Sequence, residues 1–233
     1  MKNKLYFILN MVFILFVSIF ADLYQREQDI IFKTLASVGF VILGAINLVY
    51  AVKNKHNLKF PITMLVALFF AMLGDILLDI EFLVGAIFFA IGHIGFIISY
   101  FFLEKFHWLD AVIGGALAIC SALLVALLPI FNFGSVAFEV VIVVYAVIIS
   151  LMLGKAISNF ARNRNLTNLI VALGSLLFFV SDLMLLLGSF GGINVSCMCL
   201  ATYYPAEVLL SLSVMFAGKE KETAQIVEMP ENK

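Results

Sequence analysis

Two carboxylates one helical turn apart interrupt an apolar run, Ala67-Leu68-Phe69-Phe70-Ala71-Met72-Leu73-Gly74-Asp75-Ile76-Leu77-Leu78-Asp79, that is otherwise long enough to cross a membrane. On an α-helix Asp75 and Asp79 project from the same face. An ionised Asp near the centre of a bilayer costs about 3 kcal/mol even on insertion scales, so a chain that keeps one normally turns it into the bundle and uses it. A third Asp, in Val180-Ser181-Asp182-Leu183, repeats the situation late in the chain. Acids held in this way handle protons or cations, and the rest of the sequence has to position them.

The positioning elements are membrane helices. Of 233 residues 64% are hydrophobic and 12% charged, 24 are Phe, and the mean hydropathy is +1.14. Soluble domains are roughly half apolar and a quarter charged. At about 20 residues per crossing, the length holds about eight helices and no separate soluble domain. Hydropathy places the spans at 4–21, 31–52, 60–80, 83–103, 109–130, 135–157, 166–189 and 194–217. The fold class is therefore an all-α integral membrane protein, with residues 1–218 forming one bundle and 219–233 a charged, disordered cytoplasmic tail. Lys2 and Lys4 before an apolar run also describe a signal peptide, but Ser18-Ile19-Phe20-Ala21 is a poor cleavage site and the first helix is expected to be retained. A net charge of −1, with no basic cluster interleaved with aromatics, sets nucleic acid aside. Cys120, Cys197 and Cys199 lack the spacing of a zinc site and are expected to be small apolar fillers.

Basic residues give the orientation. With the N-terminus inside, Lys2, Lys4, Lys53, Lys55, Lys59, Lys105, Lys155, Arg162, Arg164, Lys219, Lys221 and Lys233 are cytoplasmic and only Arg26 and Lys33 are not, which is 12 of the 14 basic residues on one side. The positive-inside rule then predicts an even number of crossings in the plasma membrane with both termini cytoplasmic. Asp75, Asp79 and Asp182 come late in outward-going helices. Tyr203, Tyr204 and Glu207, and likewise Glu139 and Tyr145, come early in inward-going ones; Lys33 opens the second span and His93 is mid-way along the fourth. These depths predict one polar cavity towards the extracytoplasmic side. Plainer roles are open to several of them. Asp79 and Glu81 can be solvated at a helix end, Lys33 and Glu139 can snorkel or pair at the interface, and His93, beside Gly92 and Gly95, can bond across helices. Tyr100 reads as packing. Leu73-Gly74-Asp75-Ile76 and Val180-Ser181-Asp182-Leu183 echo one another four helices apart, as two parallel four-helix halves would.

Lys33-Thr34-Leu35, Leu73-Gly74-Asp75-Ile76-Leu77-Leu78, Gly92-His93 with Tyr100 following, Phe179-Val180-Ser181-Asp182 and Tyr203-Tyr204-Pro205-Ala206-Glu207, in this order over about eight spans, resemble the YhhN-like lysoplasmalogenase family. The resemblance covers nearly the whole chain except the tail. It departs from the family's pattern at Thr34, where Pro is common, and at Glu207, where Gln is common. It implies hydrolysis of the vinyl ether bond of lysoplasmalogens, choline or ethanolamine lipids with one 1-alkenyl chain, to a fatty aldehyde and a glycerophospho-head group. Such ethers hydrolyse by protonation of the distal alkene carbon to an oxocarbenium ion that water captures, a task for two carboxylates of unlike protonation state, as in glycosidases. A carboxyl taken out of water holds its proton more tightly, and a neighbouring acid strengthens this. On this reading Asp75 and Asp182 are the acid/base pair, with the proton donor left open. Asp79 tunes Asp75, and His93, Tyr203, Glu207, Lys33 and Tyr145 contact substrate or water. No metal or other cofactor is expected, since His56 and His107 fall at the cytoplasmic side and His93 alone is mid-span. The rival from another class is a proton- or cation-coupled transporter with Asp75, Asp182 and Glu207 as carriers.

Overall fold

The computed structural model describes residues 2–217; the expected tail lies outside the described residues. Eight helices, each long and apolar enough to cross a membrane, make up the described part: α1 (Lys2–Glu27), α2 (Ile30–Lys53), α3 (Lys59–Leu78), α4 (Phe82–Leu103), α5 (Trp108–Leu127), α6 (Val136–Arg162), α7 (Leu166–Gly191) and α8 (Ser196–Phe216). No strand occurs among the described residues. Side-chain caps start several helices. Asp29 accepts from the Ile31 amide, Ser135 from Phe138 and Asn165 from Asn168, and His107 with Asp110 forms a capping box. Hydropathy misjudged three limits by three residues or more: the sixth helix runs on from 157 to Arg162, and the other two have visible local reasons. The first helix continues past the apolar run to Glu27, supported by the Arg26–Asp22 ion pair at 3.0 Å. The fifth stops at Leu127 because Pro129 holds Leu128 extended.

Six helices contact one another in a closed circuit, in the order α2, α3, α4, α6, α7, α8 and back to α2, with α3 also touching α8. The first helix lies against α2 and α8, and α5 lies against α6. Exchanging α1–α4 for α5–α8 carries most of these contacts onto one another. This is the pattern that two parallel halves require.

Without a hydrophobic drive between helices in lipid, close approach and polar bonds hold such a bundle together. Asn10 and Asn47 exchange amide hydrogen bonds of 3.0 and 2.9 Å, Asn47 donates to the Ser211 carbonyl, and Ser211 donates to the Phe40 carbonyl, joining α1, α2 and α8. Near the other end of the circuit Lys155 is buried against Asp110 at 2.8 Å. A Cβ on Gly154 would stand 2.3 Å from Gly114 Cα, so α5 and α6 cross there backbone on backbone. By contrast, a Cβ on Gly115 would meet nothing within 4 Å. Gly154→Ala is therefore expected to destabilise the detergent-solubilised protein by about 1–3 kcal/mol through overpacking. Gly115→Ala should be neutral or stabilising by up to about 1 kcal/mol. Thermal unfolding of the two variants side by side checks both.

Candidate active site

The last turn and a half of α3 carries the acids. Gly85 lets α4 press against it, since a Cβ there would come within 2.5 Å of the Leu78 backbone. From the opposite side, the first turns of α2 bring Lys33 into the bundle with its side chain only 4% exposed. Its ammonium lies 2.7 Å from Asp79 Oδ1 and 3.3 Å from Asp75 Oδ1, so one cation serves both carboxylates. Asp75 also accepts from Ser37 Oγ at 2.5 Å and from Tyr204 Oη at 3.2 Å, both on Oδ2. Asp79 accepts from Tyr24 Oη at 2.8 Å. Asp79, with its side chain 30% exposed, is thus a bonded member of the cluster at the end of α3 and not a solvated loop residue.

Asp182 is held differently. Tyr145 Oη donates to its Oδ2 at 2.5 Å, and His93 Nε2 lies 3.2 Å from the same oxygen and 2.9 Å from the tyrosine oxygen. With the tyrosine proton committed to Asp182, His93 Nε2 is the donor in both of its contacts. Phe89, Phe178 and Tyr203 meet edge to face beside this triad, and Phe178 and His93 do so at 4.7 Å between ring centroids.

Two cavities lie here and share part of their walls. A polar chamber of about 520 Å³ is lined by Asp75, Asp79, Asp182, Lys33, Tyr24 and Tyr203 among others. An apolar cleft of about 120 Å³ lies between α4, α5, α6 and α7, with Tyr145 in its wall. Leu78, Phe89, Asp182 and Leu185 line both. The chamber sits at the end of the bundle that carries the α1–α2, α3–α4 and α7–α8 connections, the end expected from the depths of the polar residues.

The eight residues picked out in the sequence therefore fall into three groups. Asp75, Asp79, Asp182, Lys33 and Tyr203 line the chamber, and Tyr145 lines the cleft. His93 backs Asp182 without lining either cavity. Glu207 sits one turn beyond Tyr203, fully buried; it lies near the Tyr203 hydroxyl, yet neither of its oxygens nor that hydroxyl completes a hydrogen bond among the described residues. Tyr100, read as packing, also bonds Ser175 at 2.8 Å. Sequence reasoning missed Tyr24, Ser37 and Tyr204 as partners of the acids. Ser37 could have been found as the residue one turn after Lys33. Cys199, expected as filler, lines the chamber with Ser181, its sulfur 3.5 Å from the serine oxygen. Cys120 and Cys197 are exposed.

The YhhN family model matches residues 28–214. The chain belongs to the YhhN family. Neither a curated protein nor a solved structure matches it. The YhhN match takes in Lys33, Asp75, Asp79, His93, Tyr145, Asp182, Tyr203 and Glu207, and begins just after α1, so Tyr24 joins the site from outside the matched region.

Removing one member of a buried ion pair leaves its partner charged and unpaired, at a cost of about 3–5 kcal/mol. Lys33→Met is expected to cost stability on this scale, and Asp75→Asn in the same chain should return part of it. Thermal unfolding of the single and double variants tests the coupling; purely additive losses would show that Lys33 does not hold Asp75.

Proposed function

We propose that this YhhN protein is a lysoplasmalogenase, an ether hydrolase that cleaves the vinyl ether of 1-alkenyl lysophospholipids, choline or ethanolamine, to a fatty aldehyde and the glycerophospho-head group. The observation that carries the reading is the position of Asp182, which lines both the polar chamber shared with Asp75 and the apolar cleft. An amphiphile with its head in the chamber and its chain in the cleft brings the bond between them to Asp182.

Asp182 is the proton donor in this reading. Its contacts with Tyr145 and His93 fall on Oδ2, which leaves Oδ1 to carry a proton towards the substrate. That proton adds to the alkene carbon distal to the ether oxygen, and the carbon bonded to oxygen becomes the oxocarbenium centre. Asp75 meets that cation as a carboxylate, since Lys33, Ser37 and Tyr204 all present donors to it. Water adds to the cation and gives a proton to a carboxylate. The hemiacetal then collapses: its hydroxyl loses a proton, the bond to the glycerol oxygen breaks, and that oxygen gains a proton. One water is consumed and both acids return to their starting states, in the manner of paired carboxylates at an oxocarbenium-like transition state.

The excess of basic residues at the other end of the bundle supports a chamber on the extracytoplasmic side of the plasma membrane, with both termini cytoplasmic. Phe40, Phe96 and Phe178, all at 0% exposure, lie deeper than the acids. Asp182→Asn and Asp75→Asn, purified in detergent and given an alkenyl lysophospholipid, are each expected to release aldehyde at least about 100-fold more slowly than the parent protein. Turnover near the parent's in either variant removes that residue from the mechanism. Absence of aldehyde with the unmodified protein sinks the hydrolase reading and leaves the transporter.

A further inference from the structure

The exchange of halves leaves two contacts without a full counterpart, α3 with α8 and α1 with α8, and the second marks a seam. The first helix fills the groove between α2 and α8, and Tyr24 fastens it to Asp79 at 2.8 Å. The fifth helix, its counterpart, packs on α6 but makes no comparable contact with α4. These two helices are joined through Glu104–His107 at the end remote from the chamber. There Lys155 clamps them, donating to the Glu104 and Lys105 carbonyls at 3.0 and 3.1 Å and to Asp110 at 2.8 Å. Held at one end and unpacked towards the other, α4 and α5 leave a wedge between them. The apolar cleft lies in it, with Phe82, Ala86 and Phe89 on α4 and Ser121, Leu124 and Val125 on α5.

We infer that the seam between α4 and α5 is a lateral entry that binds the single hydrocarbon chain of a membrane lipid and presents the adjoining bond to Asp182. Hydrocarbon is the matching chemistry because the wall offers almost nothing else. Ser121, a polar exception, already accepts a hydrogen bond from Ser150 at 3.0 Å. At about 120 Å³ the cleft has room for part of one chain, the remainder running out along the two helices. The cleft adjoins the polar chamber at a shared wall that includes Asp182 and Phe89. The inference deepens the hydrolase reading, but the chain site does not depend on which bond is cleaved.

The experiment uses the full chain in detergent micelles with a long-chain lysophospholipid that carries a diazirine midway along its only chain. Photolysis should place adducts on residues 82–89 and 121–125 in preference to the outward faces of other helices. Ala86→Phe and, separately, Ala146→Phe, which fill the cleft from α4 and α6, should each lower that labelling roughly tenfold, the equivalent of denying burial to about two methylenes. Two positions are used so that a misfolded variant, identified by its unfolding curve, does not decide the result. Labelling spread evenly over the lipid-facing surface of the parent protein, or undiminished in a folded filled variant, overturns the proposal. Because the readout is binding, it separates from the reaction: labelled α4 and α5 without aldehyde release keep the chain site and reject the hydrolase, and aldehyde release with diffuse labelling does the reverse.

Discussion

One ammonium group shared by two carboxylates is the constraint on which the site depends. Lys33 enters from α2, and Asp75 and Asp79 face it from consecutive turns of α3. Each of these charges alone would be expensive inside the bundle, and together they are tolerable only if α2 and α3 keep one register and one separation. The same bonds fix the rotation of α3, which is why Ser37 and Tyr204 can reach the other oxygen of Asp75. They also fix α1, because Tyr24 completes Asp79. Four helices are thus set by the need to neutralise two acids, and the chamber is the space that this arrangement leaves at the end of the bundle.

How much of this could be read in advance depended on how expensive each group is. Asp75 and Asp182 were legible because a carboxylate in an apolar helix has few uses other than function, and their common depth followed from the basic residues. The helix count was legible for the same reason that the helix faces were not: the spans are apolar all round, so no periodic stripe tells which side of α2 meets which side of α3. Lys33 therefore kept two readings, and so did Asp79, expected to tune Asp75 but equally open to solvation at a helix end. Tyr24 and Ser37 were invisible as site residues, and Tyr204, though placed at the depth of the cavity, was given no partner, because a hydroxyl in a membrane helix is cheap and common. Tyr24 was further hidden by lying beyond the point where hydropathy ends the first span. Glu207 is a different case. Sharing a face with Tyr203 placed it in the site, whereas the bundle puts it one turn deeper, behind the chamber wall.

The two acids differ in the character of their support. Asp75 has a cation and two hydroxyl donors, whereas Asp182 has a phenol and an imidazole in contact with one oxygen and no lysine or arginine among its contacts. Paired groups with unlike surroundings are the usual means by which one site runs two proton-transfer roles at one pH. The cavities divide in parallel with this: the better-charged acid faces only the polar chamber, and the other stands where polar and apolar space join.

The doubled architecture gives that difference a further meaning. Under the exchange of halves, α3 answers to α7, α2 to α6 and α8 to α4, so the partners of Asp75 on α2 and α8 stand where Tyr145 and His93 stand for Asp182. Two identical four-helix subunits around a true axis would have to furnish their acids with identical neighbours. Carried on a single polypeptide, the equivalent positions are free to differ, lysine and serine on one side and tyrosine on the other. Covalent linkage of the halves is what permits a symmetric frame to hold an asymmetric centre.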